Sequence, residues 1–145
     1  MVCGIDGAIQ RVAGNFYHSQ AAKAMPLINL QTIVAKGNKY QHRGQFNNVV
    51  FVVDDLKSPL NKVVYTSLET ASNEGYQHIL VPTIRMGVMN GIVEKTPEEA
   101  ISKMALGITE FLEKYAKKTR LTEIGLVVYN NPSLAQQLGN VLKEI

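Results

Sequence analysis

HILVPTIRMGVMNGIVEKTPEEA, residues 78–100, decides the fold. His78-Ile79-Leu80-Val81 reads as a strand. Thr96-Pro97-Glu98-Glu99 reads as a helix start, with a threonine cap, proline at the first position and glutamate three residues after the cap. Between them, Pro82 to Lys95 is long for a strand-to-helix loop. It carries Gly87 and Gly91, which let a backbone turn its N–H groups toward an anion. A strand, a glycine-bearing loop and a capped helix make one unit of an α/β protein.

The pattern extends both ways from that unit. Downstream, Ile101, Met104, Ala105, Ile108, Phe111, Leu112 and Tyr115 mark the buried stripe of the helix. Ile124 to Tyr129 is a further strand, and Asn131-Pro132 opens a last helix with Leu134, Leu138, Val141 and Leu142 facing inward. Upstream, Val49-Val50-Phe51-Val52-Val53 is expected to be a strand buried on both faces. Ser58-Pro59 offers a cap and a first-turn proline. Leu60, Val64, Leu68 and Ala71 recur at helical spacing, and Gly75 stops that helix. Farther back, Ile5 to Ala13 reads as a short helix ended by Gly14, Tyr17 to Leu30 as partly helical, Thr32 to Ala35 as a strand and Lys36 to Asn48 as a loop. The order β-α-β-α-β-α implies right-handed crossovers in an α/β fold. Three layers, α/β/α, with a mainly parallel or mixed sheet are expected.

The 145 residues amount to one domain, 1–145. A net charge of +3, from 15 basic and 12 acidic residues, is too small and scattered for a nucleic-acid partner. The densest basic stretch, Lys114 to Arg120, ends a helix, where cations favour the dipole. The lone cysteine, Cys3, excludes an internal disulfide framework and fits a reducing compartment. No apolar run approaches a bilayer span and no secretory signal pattern opens the chain. A cytoplasmic protein without a membrane partner is expected. His18, His42 and His78 show no metal-ligand spacing, so neither metal nor cofactor is expected. Asp54-Asp55 reads as a strand end and turn, where two acids on the rim would suit a cation.

Ligands of open parallel sheets collect beyond the carboxyl ends of the strands. The segment Pro82 to Lys95 and Tyr129-Asn130-Asn131 must lie there. Tyr129 is either a ring for a base to stack on or a packing residue. Cys3-Gly4-Ile5-Asp6-Gly7-Ala8-Ile9 sets an acid between glycines at a helix start, a third candidate.

In combination these segments resemble the macro-domain family. Gly4-Ile5-Asp6-Gly7-Ala8-Ile9-Gln10-Arg11-Val12-Ala13-Gly14 is similar to the stretch that opens the helix under the ribose and phosphates in that family. Ile79 to Val88 is similar to the family's strand and diphosphate-cradling loop, and Leu126-Val127-Val128-Tyr129 to its closing strand. The resemblance implies binding of ADP-ribose or a related nucleotide diphosphate. It assigns ligand contacts to Gly4, Ile5, Gly7, Ile84, Arg85, Met86, Gly87, Val88, Met89, Tyr129 and Asn130, with Tyr129 against the adenine. Asp6 matches the acid that orders water in hydrolytic members, which implies removal of ADP-ribose from proteins or small conjugates. Gln10 stands in place of the usual histidine, Arg85 and Met86 in place of serine and threonine, and Met89 in place of an aromatic. An N-terminally truncated macro-like fold is expected, because the aspartate and the asparagine-alanine-asparagine segment that contact adenine and distal ribose have no counterpart here. The alternative function is a degenerate macro-like module without catalysis, acting in protein interaction or as a homo-oligomer paired through an exposed sheet edge.

Overall fold

The computed structural model describes residues 4–23, 28–54, 56–85, 91–128 and 131–143, with backbone alone at 4–8. The chain divides into two compact units, Met1–Val53 and Asp54–Ile145. Across them run helices and strands in the order α1 (Gly4–Ala13), α2 (Phe16–Ala22), β1 (Thr32–Ala35), β2 (Val49–Val52), α3 (Leu60–Asn73), β3 (His78–Pro82), α4 (Pro97–Tyr115), β4 (Glu123–Val127) and α5 (Pro132–Leu142). The fold is α/β, as the sequence implies.

In the first unit, Gly14 ends α1 in the left-handed region, φ 59°, where its missing side chain removes the steric cost. β1 and β2 pair antiparallel, with Ile33 opposite Phe51 and Val34 opposite Val50. This corrects the expectation for residues 49–53: the strand is half-buried along its length rather than buried on both faces. Before it runs the polar connection 36–48, the loop that the sequence suggests, which allows the chain to return antiparallel. That connection is ordered by side chains. Asn38 caps a single 3₁₀ turn, Lys39–Gln41. Gln20 from α2 reaches the end of β1, where its amide both donates to the carbonyl and accepts from the N–H of Lys36, each at 2.9 Å.

In the second unit, β3 and β4 pair parallel from His78 opposite Glu123 to Pro82 opposite Val127. Helix α4 is the crossover between them, the part of the expected parallel arrangement that the strands bear out. Helices α3 and α4 pack along their lengths. Leu60, Val63, Val64, Leu68 and Ala71 from α3 are buried, as are Ile101, Met104, Ile108 and Phe111 from α4. Polar ties fasten the same seam: the Asn61 amide donates to Glu110 at 2.7 Å, Tyr115 to Glu69 at 2.6 Å and Ser72 to Thr119 at 2.7 Å. Gly75, with φ 80°, ends the α3 turn as its position in the sequence suggests. Thr96 caps α4 by accepting from the Glu99 N–H at 3.1 Å, and Asn131 caps α5 by accepting from Leu134 at 3.0 Å. Both caps stand where the sequence puts them. No helix among the described residues is long and apolar enough to cross a membrane.

Candidate functional site

Because β3 and β4 are parallel, Pro82 and Val127 end on the same side of their ladder, and the loops into α4 and α5 begin there. The Thr83 N–H donates to the Val127 carbonyl at 3.1 Å, carrying the pairing one residue past the strand. This rim is where an open parallel sheet gathers ligands.

On the rim the chain turns sharply at Arg85, whose backbone is left-handed at φ 61°. Its side chain neither reaches outward nor lies in solvent. Arg85 is 4% exposed and Glu94 2% exposed. The guanidinium forks onto Asp54, with Nε to Oδ2 at 3.1 Å and Nη2 to Oδ1 at 2.6 Å. Its Nη1 donates to Glu94 Oε2 at 2.9 Å and to the Ser58 carbonyl at 2.8 Å. Asp54 stands just past β2, at the strand end that the sequence suggests, and its carboxylate is occupied by a side chain of the chain itself instead of standing ready for a bound cation; Asp55 lies outside the described residues.

One guanidinium faces two carboxylates in this cluster, and main-chain donors take up the remaining negative charge. The Leu60 N–H donates to Glu94 Oε1 at 2.7 Å, so Glu94 sits on the N-terminus of α3, where the helix dipole favours an anion. This corrects the expected cap. Pro59 occupies the cap position rather than the first helical one, and the acceptor comes from Glu94, distant in sequence, instead of from Ser58. Asp54 Oδ1 also accepts from the Leu56 N–H at 2.9 Å. Burial by itself would lower the guanidinium pKa, but the bonds and charges of Asp54 and Glu94 more than offset it. The net direction is upward, and Arg85 stays charged. The α3 N-terminus, already holding Glu94, is not a vacant anion site.

Glu94 also shapes the chain that leads into α4. Its carbonyl accepts from the Gly91 N–H at 2.8 Å, and Gly91 has φ 93°, a conformation that glycine adopts without strain. Arg85 and Glu94, nine positions apart, therefore pin both ends of the loop between β3 and α4. Sequence reasoning missed this pairing. The signal was a single arginine and a single glutamate, each set beside apolar residues, towards the two ends of a loop whose one other charged residue is Lys95.

The remaining candidate residues divide by position. Ile84 is half-buried beside Arg85. Gly4, Ile5, Asp6 and Gly7 form the first turn of α1, one residue earlier than the sequence reading began that helix. Met86, Gly87, Val88, Met89, Tyr129 and Asn130 lie outside the described residues. Among the described residues there is no group of three His, Cys, Asp or Glu side chains that would hold a metal ion. A hollow of about 300 Å³ lies between α4, β4 and α5, lined by residues that include Ile108, Ile124, Leu126, Ala135, Leu138 and Leu142. The side chains that line it are apolar and none offers a charged or hydrogen-bonding group to a phosphate.

No protein-family profile matches the chain, and no curated protein sequence matches it. Among solved structures it is similar to a macrodomain of Trypanosoma brucei in complex with ADP, at 19% identity and a TM-score of 0.77. The likeness covers 97% of this chain and 57% of that one, so the chain spans a little over half the length of this neighbour. At that identity the likeness establishes a macrodomain-like fold.

Proposed function

We propose that the chain binds ADP-ribose or a related nucleotide diphosphate at the rim formed by the ends of β3 and β4. The observation that carries this reading is the parallel β3–loop–α4 unit in a macrodomain-like fold whose solved neighbour is described with ADP. In this reading the main-chain amides of Ile84 to Met89 hold the paired phosphoryl groups, and Tyr129 stacks on the base. Backbone donors tolerate the side-chain differences at Arg85, Met86 and Met89, because the groups that bind are common to every residue type. Hydrolysis of an ADP-ribose conjugate is the catalytic form of the same reading. An ordered water would then attack, and positioning of the ligand supplies much of the rate.

Calorimetric titration with ADP-ribose tests the proposal directly. Saturable binding is expected, and Gly87→Glu should weaken it by about tenfold or more, 1.4 kcal/mol, by placing a carboxylate against the diphosphate. Circular dichroism of the variant should match the parent. Absence of any heat with millimolar ADP-ribose in the parent protein would refute the assignment.

A further inference from the structure

The buried ion network at the start of the loop between β3 and α4 restrains the chain more closely than packing alone would. Three features coincide at Arg85: a left-handed backbone in a residue that bears a Cβ, a side chain almost wholly buried, and carboxylates reaching it from two separate loops. A non-glycine residue is disfavoured at φ 61°. Such conformations persist where the surroundings over-determine them, and they gather at ligand clamps. Here the surroundings are explicit. Asp54 holds the guanidinium from the segment before α3, Ser58 accepts from it through its carbonyl, and Glu94 holds it from the far end of the same loop while anchored on the Leu60 N–H.

We propose that Asp54 and Glu94 are positioning residues for the diphosphate site. By gripping the Arg85 side chain they fix its left-handed turn, and so set the direction in which the amides of Ile84 and Arg85 point. This rests on the reading of the rim as a nucleotide diphosphate site. The arginine that stands where the family has a small hydroxyl residue contributes through its backbone, while its charge is spent inward on the two acids. A buried pair fixes one geometry because each partner left alone would be an unpaired charge.

Titration of ADP-ribose into the full chain and into Asp54→Asn and Glu94→Gln tests this. Both amides keep an oxygen for the N–H groups of Leu56 and Leu60 and lose the ionic grip. Leu68→Ala serves as a stability control, since Leu68 is fully buried in α3 and belongs to none of the contacts above. Dissociation constants about tenfold or more above the parent are expected for the two amide variants. Leu68→Ala should melt at least as low and bind within about twofold of the parent. Amide exchange at Ile84 and Arg85, read without ligand, should accelerate in both amide variants and not in Leu68→Ala. If one amide variant fails to fold, the other carries the comparison. Should neither fold, Arg85→Lys carries it, keeping the charge without the fork, and binding equal to the parent in that variant overturns the proposal. Amide variants that bind like the parent, or a control that weakens as much as they do, overturn the positioning role and leave the site intact. A parent that does not bind ADP-ribose removes both readings together.

Discussion

Tyr17 is wholly buried, yet both hydrogen-bonding roles of its hydroxyl are occupied. Its O–H donates to the Asn47 carbonyl. His42 Nδ1 accepts from the Gly44 N–H at 3.0 Å, which leaves the proton on Nε2, 2.8 Å from the Tyr17 oxygen. The ring lies among Phe16, His42 and Phe46, with centroids 5.2 to 5.5 Å away. A Cβ added at Gly37 would come within 2.6 Å of the hydroxyl, so that glycine is there for close approach. Burial raises the phenol pKa above 10.0. The unfolded chain therefore loses its proton first, and the stability from neutral Tyr17 is whole below pH 10.0 and is lost as pH rises through the folded value. Denaturant midpoints should fall across that alkaline range. In Tyr17→Phe the fall should be shallower, with a loss of about 1 kcal/mol at neutral pH from the missing hydrogen bonds. Equal alkaline slopes in the two proteins would count against this account. The sequence showed none of it, because Tyr17, His42 and Phe46 meet only once the connection 36–48 has folded back over α2.

At the scale of elements, the legible features were those with local causes. Thr96 with Glu99, Asn131 with Pro132, and Gly14 and Gly75 at helix ends act within a few residues of themselves, so their patterns survive in the sequence. Thr32 to Ala35 was legible too, but its antiparallel pairing with β2 was not, since direction depends on a polar connection without helical periodicity. Gly107 shows the same limit inside a helix. It sits in the middle of α4, where glycine costs about 1 kcal/mol relative to alanine. The reason lies on α3: a Cβ at Gly107 would meet the Asn61 carbonyl at 2.6 Å and Val64 Cβ at 2.9 Å. Backbone on the neighbouring helix cannot move aside as a flexible side chain would. Gly107→Ala is therefore expected to destabilise the protein by about 1–3 kcal/mol despite the better helix former, through separation of α3 and α4. Guanidinium unfolding of variant and parent checks it, and a more stable variant would show the seam to be slack. Glu94 was illegible for a related reason, as the helix it caps begins 34 positions earlier in the chain.

For the molecule as a whole, the distribution of buried apolar side chains matters more than the count of elements. Among the described residues, Tyr17 and Ala35 are the buried hydrophobic members of the first unit, while the second holds Leu60, Val64, Leu68, Val81, Ile101, Met104, Phe111 and others. A unit of this size with so small a core lies near the limit at which burial offsets conformational entropy. The free energy needed to open each unit locally should differ accordingly. In native-state hydrogen exchange, the amides of Val34 and Val50 are expected to open at lower free energy than those of Val64 and Phe111 on the facing helices α3 and α4. The reading of residues 1–145 as one domain adds a second requirement, that the global denaturant midpoints reported by both units coincide. Early opening of β1 and β2 with a shared global midpoint is the outcome expected of one domain with an off-centre core. Two separate midpoints, divided near Val53, would instead make each unit a domain of its own.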